Sequence, residues 1–270
     1  MSTTFRLPRE HGAWAMFLTC LAGGAALDAL AGVPVWRVTA LAAGLLCWLA
    51  AEDWMHSLAA AILGSPRRGR SDWRSPLGWT LAAAGAACVA AATPPAAAGS
   101  WAIAVALAAA GGCAVLALRT ALPPLDLALL APASLAPTVP ALLAGVLAWP
   151  GAPWRVAAWW AWPAGYAVAT TVFIHTILRS APARPSVFYA PLAPFAALVI
   201  AATASGSPIV AAAFALLAGR MWWRLRARDA ALRAGGGPPS SAAVKALGLE
   251  TTAWSVAFAA LWVVAFHGRI

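Results

Sequence analysis

Residues 8–30 read Pro8-Arg9-Glu10-His11-Gly12-Ala13-Trp14, then Ala15-Met16-Phe17-Leu18-Thr19-Cys20-Leu21-Ala22-Gly23-Gly24-Ala25-Ala26-Leu27-Asp28-Ala29-Leu30. Three ionisable side chains stand together, and an apolar run follows at once. A helix of ~20 apolar residues covers the ~30 Å hydrocarbon layer of a bilayer. Runs of this kind recur to the end of the chain. Of 270 residues, 63% are hydrophobic and 10% are charged, where a soluble domain carries roughly 25% charged. The composition predicts an all-α, polytopic membrane helix bundle, because a helix satisfies every backbone group within its own segment. Arg6 and Arg9 before an apolar stretch, with Ala29-Leu30-Ala31 at its end, also resemble a signal peptide. The elaborate polar start and the apolar runs that follow favour a retained first helix.

About nine spans are expected in one transmembrane domain over 1–270: approximately 12–31, 37–60, 76–93, 101–119, 125–148, 154–178, 188–204, 207–226 and 245–267. Pro and Gly punctuate the breaks, as at Gly32-Val33-Pro34, Thr93-Pro94-Pro95 and Gly235-Gly236-Gly237-Pro238-Pro239. The span at 125–148 holds Pro132, Pro137 and Pro140 and is expected to kink. With the N-terminus in the cytoplasm, the basic residues fall on the cytoplasmic side, save Arg37, Arg155 and Arg269. That is a strong positive-inside bias, and it predicts N-in, C-out topology in a bacterial cytoplasmic membrane. It also accounts for the formal charge of +10 without nucleic acid, since the arginines sit in short loops between apolar runs. The stretch Arg220 to Arg233 is expected to continue helically out of the eighth span and touch anionic headgroups. Cys20, Cys47, Cys88 and Cys113 lie inside apolar runs, with no CxxC spacing, and read as buried small hydrophobes. Most of the sixteen tryptophans fall near span ends and read as interfacial anchors.

The polar groups inside the apolar runs carry the functional signal. Ionisable residues in a membrane segment cost several kcal/mol unless paired or wetted. Glu10, Glu52, Asp53, Asp126 and Glu250 all fall near the cytoplasmic ends of spans, with His11, His56 and His175. Their common depth predicts a shared polar cavity. Glu52 and His56 are four apart and Asp53 and His56 three apart, so both pairs share a helix face. Three readings of that trio stand open: an ion-pair network, a proton or substrate site, and a divalent-metal site. Thr171, His175 and Arg179 form a stripe at spacing four, and His with Arg suits an anion. Arg67, Arg68, Arg70 and Arg74 crowd the loop after the second span, where topology and phosphate binding both account for them. Glu250 and Asp126 are placed at helix starts, where the helix dipole stabilises a carboxylate. Asp28 is placed near the outer face.

The stretch from Pro8 to Met16, opening a polytopic chain of this length, resembles the YwiC-like bacterial membrane protein family. A more distant resemblance is to the UbiA superfamily of intramembrane prenyltransferases. Glu52-Asp53-Trp54-Met55-His56 stands where that superfamily carries its first acidic motif. Arg70 and Arg74-Ser75-Pro76-Leu77 resemble its basic loop, and His175 with Arg179 stands at its second motif. The resemblance implies a membrane-embedded cavity and a divalent cation such as Mg²⁺ held by carboxylates. Mg²⁺ demands oxygen ligands, and His and Arg in the second motif remove half of that cage. The implication therefore extends to the scaffold more than to the reaction.

Together these readings predict a UbiA-like cytoplasmic-side polar cavity that binds an isoprenoid, lipid or anionic headgroup. Glu52, Asp53, His56 and His175 would handle protons or a cation. Glu10, His11, Trp14, Arg70, Arg74, Arg119 and Arg179 would hold the ligand. Whether transferase chemistry follows is left open. Two alternatives remain: a transporter that uses the carboxylates and His as a proton relay, and a non-catalytic assembly protein in which the charges merely pair.

Overall fold

The computed structural model describes residues 11–51, 54–55, 57–58, 61, 74–102, 136–178, 189, 192–204, 206–237 and 239–267. Every regular element among them is helical. The α-helices are α1 (His11–Leu30), α2 (Val35–Ala50), α3 (Pro76–Ala92), α4 (Val139–Ala148), α5 (Pro153–Ile177), α6 (Leu192–Ala204), α7 (Pro208–Arg233) and α8 (Ser241–His267). Short 3-10 turns precede the fourth (Ala136–Thr138) and follow the third (Pro95–Ala97).

The helix boundaries follow backbone chemistry. Proline opens α3, α5 and α7, where its missing N–H leaves no intrahelical bond unmade. Gly206 and Gly235 take φ of +70° and +80° and close α6 and α7. The amide after each reaches back five residues, from Ser207 to Ala202 and from Gly236 to Ala231. That closure requires a left-handed residue, which glycine supplies without a Cβ clash. These two turns fold α6, α7 and α8 back on one another.

Pro137 and Pro140 do not kink a long helix. Pro137 lies in the 3-10 turn and Pro140 in the first turn of α4, so the prolines start a ten-residue helix. The remainder of the expected fifth span lies outside the described residues. Pro163 does sit inside α5. It has no N–H to donate to the Trp159 carbonyl one turn back. That carbonyl instead accepts the indole N–H of Trp262 on α8, at 3.1 Å.

This bond belongs to an aromatic core. Trp159 stacks on Trp262 with centroids 3.7 Å apart, Tyr166 stacks on Phe258 at 4.2 Å, and Phe266 meets Trp159 edge-on. Trp159 also donates to the Ala141 carbonyl of α4. Helix α1 closes over the cluster, so close that a Cβ at Gly23 would stand 2.7 Å from the Trp262 ring. The expectation that tryptophans serve as interfacial anchors fails for these: Trp54, Trp149, Trp159, Trp162 and Trp262 are all buried. Trp36, Trp79, Trp154, Trp222 and Trp223 are exposed. Sequence position near a span end does not distinguish a ring facing outward from one facing a neighbouring helix.

Helix α2 lies along α3, and Gly44 and Gly85 face each other. Residues Ser241–Phe266 form the one described helix long and apolar enough to cross a membrane, and Pro76–Ala92 with Pro95–Ala102 forms a pair bent by 101°. Only 22% of the apolar window in α8 is buried. A core helix of a soluble protein would hide that surface. Leu249, Val256 and Val264 are exposed on α8, as are Ile209 and Leu216 on α7 and Ile200 on α6. This outward apolar surface fits a membrane protein.

Candidate functional site

Helix α7 is continuous from apolar Pro208–Gly219 into the basic stretch Arg220–Arg233, as the sequence predicts. Its last turns bury Met221, Leu225 and Leu232 and expose Arg220, Arg224, Arg226 and Arg233, with Arg228 half-buried. Helix α8 runs back beside it after the Gly235 turn. Arg220 and Arg224 are one turn apart on α7, and both reach Glu250 on α8. Arg220 Nε donates to Glu250 Oε1 and Arg224 Nη2 donates to Glu250 Oε2, each at 2.5 Å. The carboxylate is 20% exposed and each arginine 48%. The Arg220 guanidinium also lies 5.8 Å from the centre of the Trp254 ring, within cation–π range.

The sequence reading placed Glu250 at a helix start, stabilised by the helix dipole. The structure corrects this. The helix begins at Ser241 with no acidic residue in its first turn, and Glu250 stands more than two turns inside, paired to two arginines.

The trio sits at one edge of a shallow cleft between α5, α7 and α8, with an enclosed space of about 20 Å³ that reaches about 310 Å³ only when the open solvent at its mouth is included. Phe173, Leu217, Met221, Leu247 and Trp254 supply its apolar walls. Tyr166 and Thr170 line it from α5. The Tyr166 hydroxyl lies 3.3 Å from Ser255 Oγ. Thr170 is 7% exposed, and its hydroxyl lies near that of Tyr166 without a well-aligned hydrogen bond to any group among the described residues. The arrangement is amphipathic: two cations and a carboxylate at the edge, aromatic and aliphatic walls, and buried hydroxyls. Such a cleft suits an anion attached to an apolar body.

The residues expected to carry chemistry are placed unevenly. His11 and Trp14 fall in the first turns of α1, and His175 falls in the last turn of α5, just past Phe173. Arg74 is exposed in the turn before α3 and does not line the cleft. Glu10, Glu52, Asp53, His56, Arg70, Arg119, Asp126 and Arg179 lie outside the described residues. Among the described residues, no three His, Cys, Asp or Glu side chains converge as metal ligands. Cys20 is a buried free thiol, and Cys47 and Cys88 are half-buried free thiols.

Asp28 stands apart. It is in the final turns of α1, is 1% exposed, and neither carboxyl oxygen has a hydrogen-bond partner among the described residues. Reading it as an outer-face residue gave no sign of this burial.

No curated protein and no solved structure matches the chain, so no comparison supports the expected likeness to UbiA. The cleft residues lie in the second half of the chain. The first half carries the match to a known family: residues 7–122, which include the Pro8–Trp14 motif and the Glu52–His56 stretch, fit the family model described as YwiC-like protein.

Proposed function

We propose that this chain is a polytopic protein of the bacterial cytoplasmic membrane, N-in and C-out. Its α5/α7/α8 cleft receives an amphipathic ligand, a lipid or isoprenoid, by its anionic head from the cytoplasmic leaflet. The observation that carries this reading is the placement of Arg220 and Arg224, half-exposed, at the edge of an apolar-walled cleft. The positive-inside bias supports the side: the cleft lies toward the C-terminal part of α7, with Arg226, Arg228 and Arg233. We assign Glu10, His11, Trp14, Arg70, Arg119 and Arg179 to the same cytoplasmic side, with Arg74 outside the cleft itself, and Glu52, Asp53, His56 and His175 to proton or cation handling there. The reading is of a binding cavity; a transferase step would be an addition to it. Lipid extracted with the purified protein and identified by mass spectrometry tests the idea. Retention of one amphiphile class should fall by about tenfold in Arg220→Ala/Arg224→Ala, the loss expected when charge-assisted bonds worth ~1.4 kcal/mol or more are removed. Equal retention by a folded double variant sinks the assignment.

Transport is the second reading, and Asp28 favours it. An unpartnered carboxyl buried in an apolar helix is the kind of group that relays protons in membrane carriers. Under the same topology it lies toward the outer face, opposite the cleft, so that polar groups occur at both ends. Proteoliposomes with an entrapped pH-sensitive dye should then show proton flux that Asp28→Asn and His175→Ala each abolish. Absence of flux in the wild-type protein removes this reading and leaves the binding cavity.

A further inference from the structure

The way Glu250 occupies the two arginines points to the head that the cleft accepts. We infer that the site takes a phosphodiester anion carried on an apolar tail, with Glu250 as a positioning residue for both guanidinium groups. This rests on the binding-cavity reading above. Arg220 engages Glu250 through Nε alone and Arg224 through Nη2 alone, so each carboxylate oxygen accepts one bond. Among the described residues, the hydrogen bond that Arg220 makes runs through Nε and leaves its terminal amino groups to a ligand. These Nη1 and Nη2 groups form the edge of the guanidinium that binds two oxygens of one anion at once. Trp254, whose ring centre is 5.8 Å from the Arg220 guanidinium, and the Glu250 bond together limit how that edge can turn.

Charge decides among anions. Two arginines and one carboxylate leave the cluster at +1. A phosphodiester, with a single negative charge, balances it, whereas a phosphate monoester near −2 would leave excess negative charge beside Glu250. Shape decides against a carboxylate head. Two guanidinium edges joined at Glu250 need an acceptor whose oxygens point out of one plane. A tetrahedral phosphorus centre offers that and a flat carboxylate does not. The apolar side of the cleft, Phe173, Leu217 and Leu247, then takes the first part of the tail.

Native mass spectrometry of the detergent-purified full chain tests this with three probes: dihexanoyl-phosphatidylglycerol, decanoate and inorganic phosphate. The expected result is tightest binding of the phosphatidylglycerol, about tenfold weaker in Arg220→Lys, which keeps the charge and loses the planar fork. Arg226→Lys, on the exposed face of the same helix, should leave it unchanged. Equal loss in both variants would mean diffuse attraction to a basic surface and overturns the site. Decanoate binding as tightly as the lipid overturns the phosphodiester assignment while sparing the binding cavity. Inorganic phosphate binding as tightly as the lipid overturns the role of the tail. If no probe binds the wild-type chain, the binding-cavity reading fails with the inference.

Discussion

Helices α2 and α3 meet through glycine, whereas α5 and α8 meet through aromatic rings. At the first contact a Cβ on Gly85 would stand 2.4 Å from the Trp48 ring and 2.9 Å from the Gly44 carbonyl oxygen. Small residues let two backbones approach, and dispersion then acts along the whole seam. At the second contact Trp159, Trp262, Tyr166 and Phe258 fill the space between helices and hold them farther apart. The aromatic layer ends near Tyr166, and the cleft opens beyond it, where Thr170 and Phe173 face Leu247 and Glu250. A glycine seam leaves no room for a ligand. A seam spaced by large rings leaves a gap wherever the rings stop.

The largest test of that difference is Trp262→Ala. It removes a fully buried ring stacked on Trp159 and the indole donor that the Trp159 carbonyl has in place of the one Pro163 lacks. Truncating a buried large aromatic side chain costs about 3–5 kcal/mol, read as a lowered midpoint of thermal or denaturant unfolding in detergent. Trp262→Phe separates the two contributions. It keeps much of the ring and loses the N–H, so an orphaned buried carbonyl should cost about 1–3 kcal/mol. Adding Pro163→Ala returns a backbone donor to the same carbonyl and should recover part of that loss. No recovery in the double variant would show that the indole N–H matters little and that ring packing alone holds α5 to α8.

Some of this was legible in the residues. Apolar runs bounded by proline and glycine located α1, α3, α5 and α8 closely, because helix ends are written in local backbone chemistry. Which face of each helix meets which neighbour was not legible. Trp159 and Trp262 are 103 positions apart, and neither looks different in sequence from the exposed Trp154 or Trp223. Glu250 was misread for a related reason. Its helix starts four residues earlier than expected, so its pairing with α7 was missed. A signal was present: Arg220 and Glu250 are equidistant from Gly235, the residue that closes α7, which is how partners across a helical hairpin are placed. For the Glu52–His56 trio the sequence remains the whole argument.

The smaller test is Gly85→Ala, at the glycine seam. The new methyl group meets two things that differ in how far they can yield. The Trp48 indole can rotate, at the cost of its 3.2 Å hydrogen bond to the Ala82 carbonyl. The Gly44 carbonyl belongs to the backbone of α2 and moves only if the helix does. Overpacking of a close seam costs about 1–3 kcal/mol, below the loss expected for Trp262→Ala. A lipid-exposed helix pair can also separate by a few tenths of an ångström without opening a void to water, which pushes the cost toward the lower end of that range. Because the seam has no ligand space, Gly85→Ala should lower the unfolding midpoint while leaving amphiphile retention by the folded fraction at the wild-type level. If retention falls with stability, the two seams are coupled through α1 and α4, and the separation of the glycine seam from the cleft does not hold.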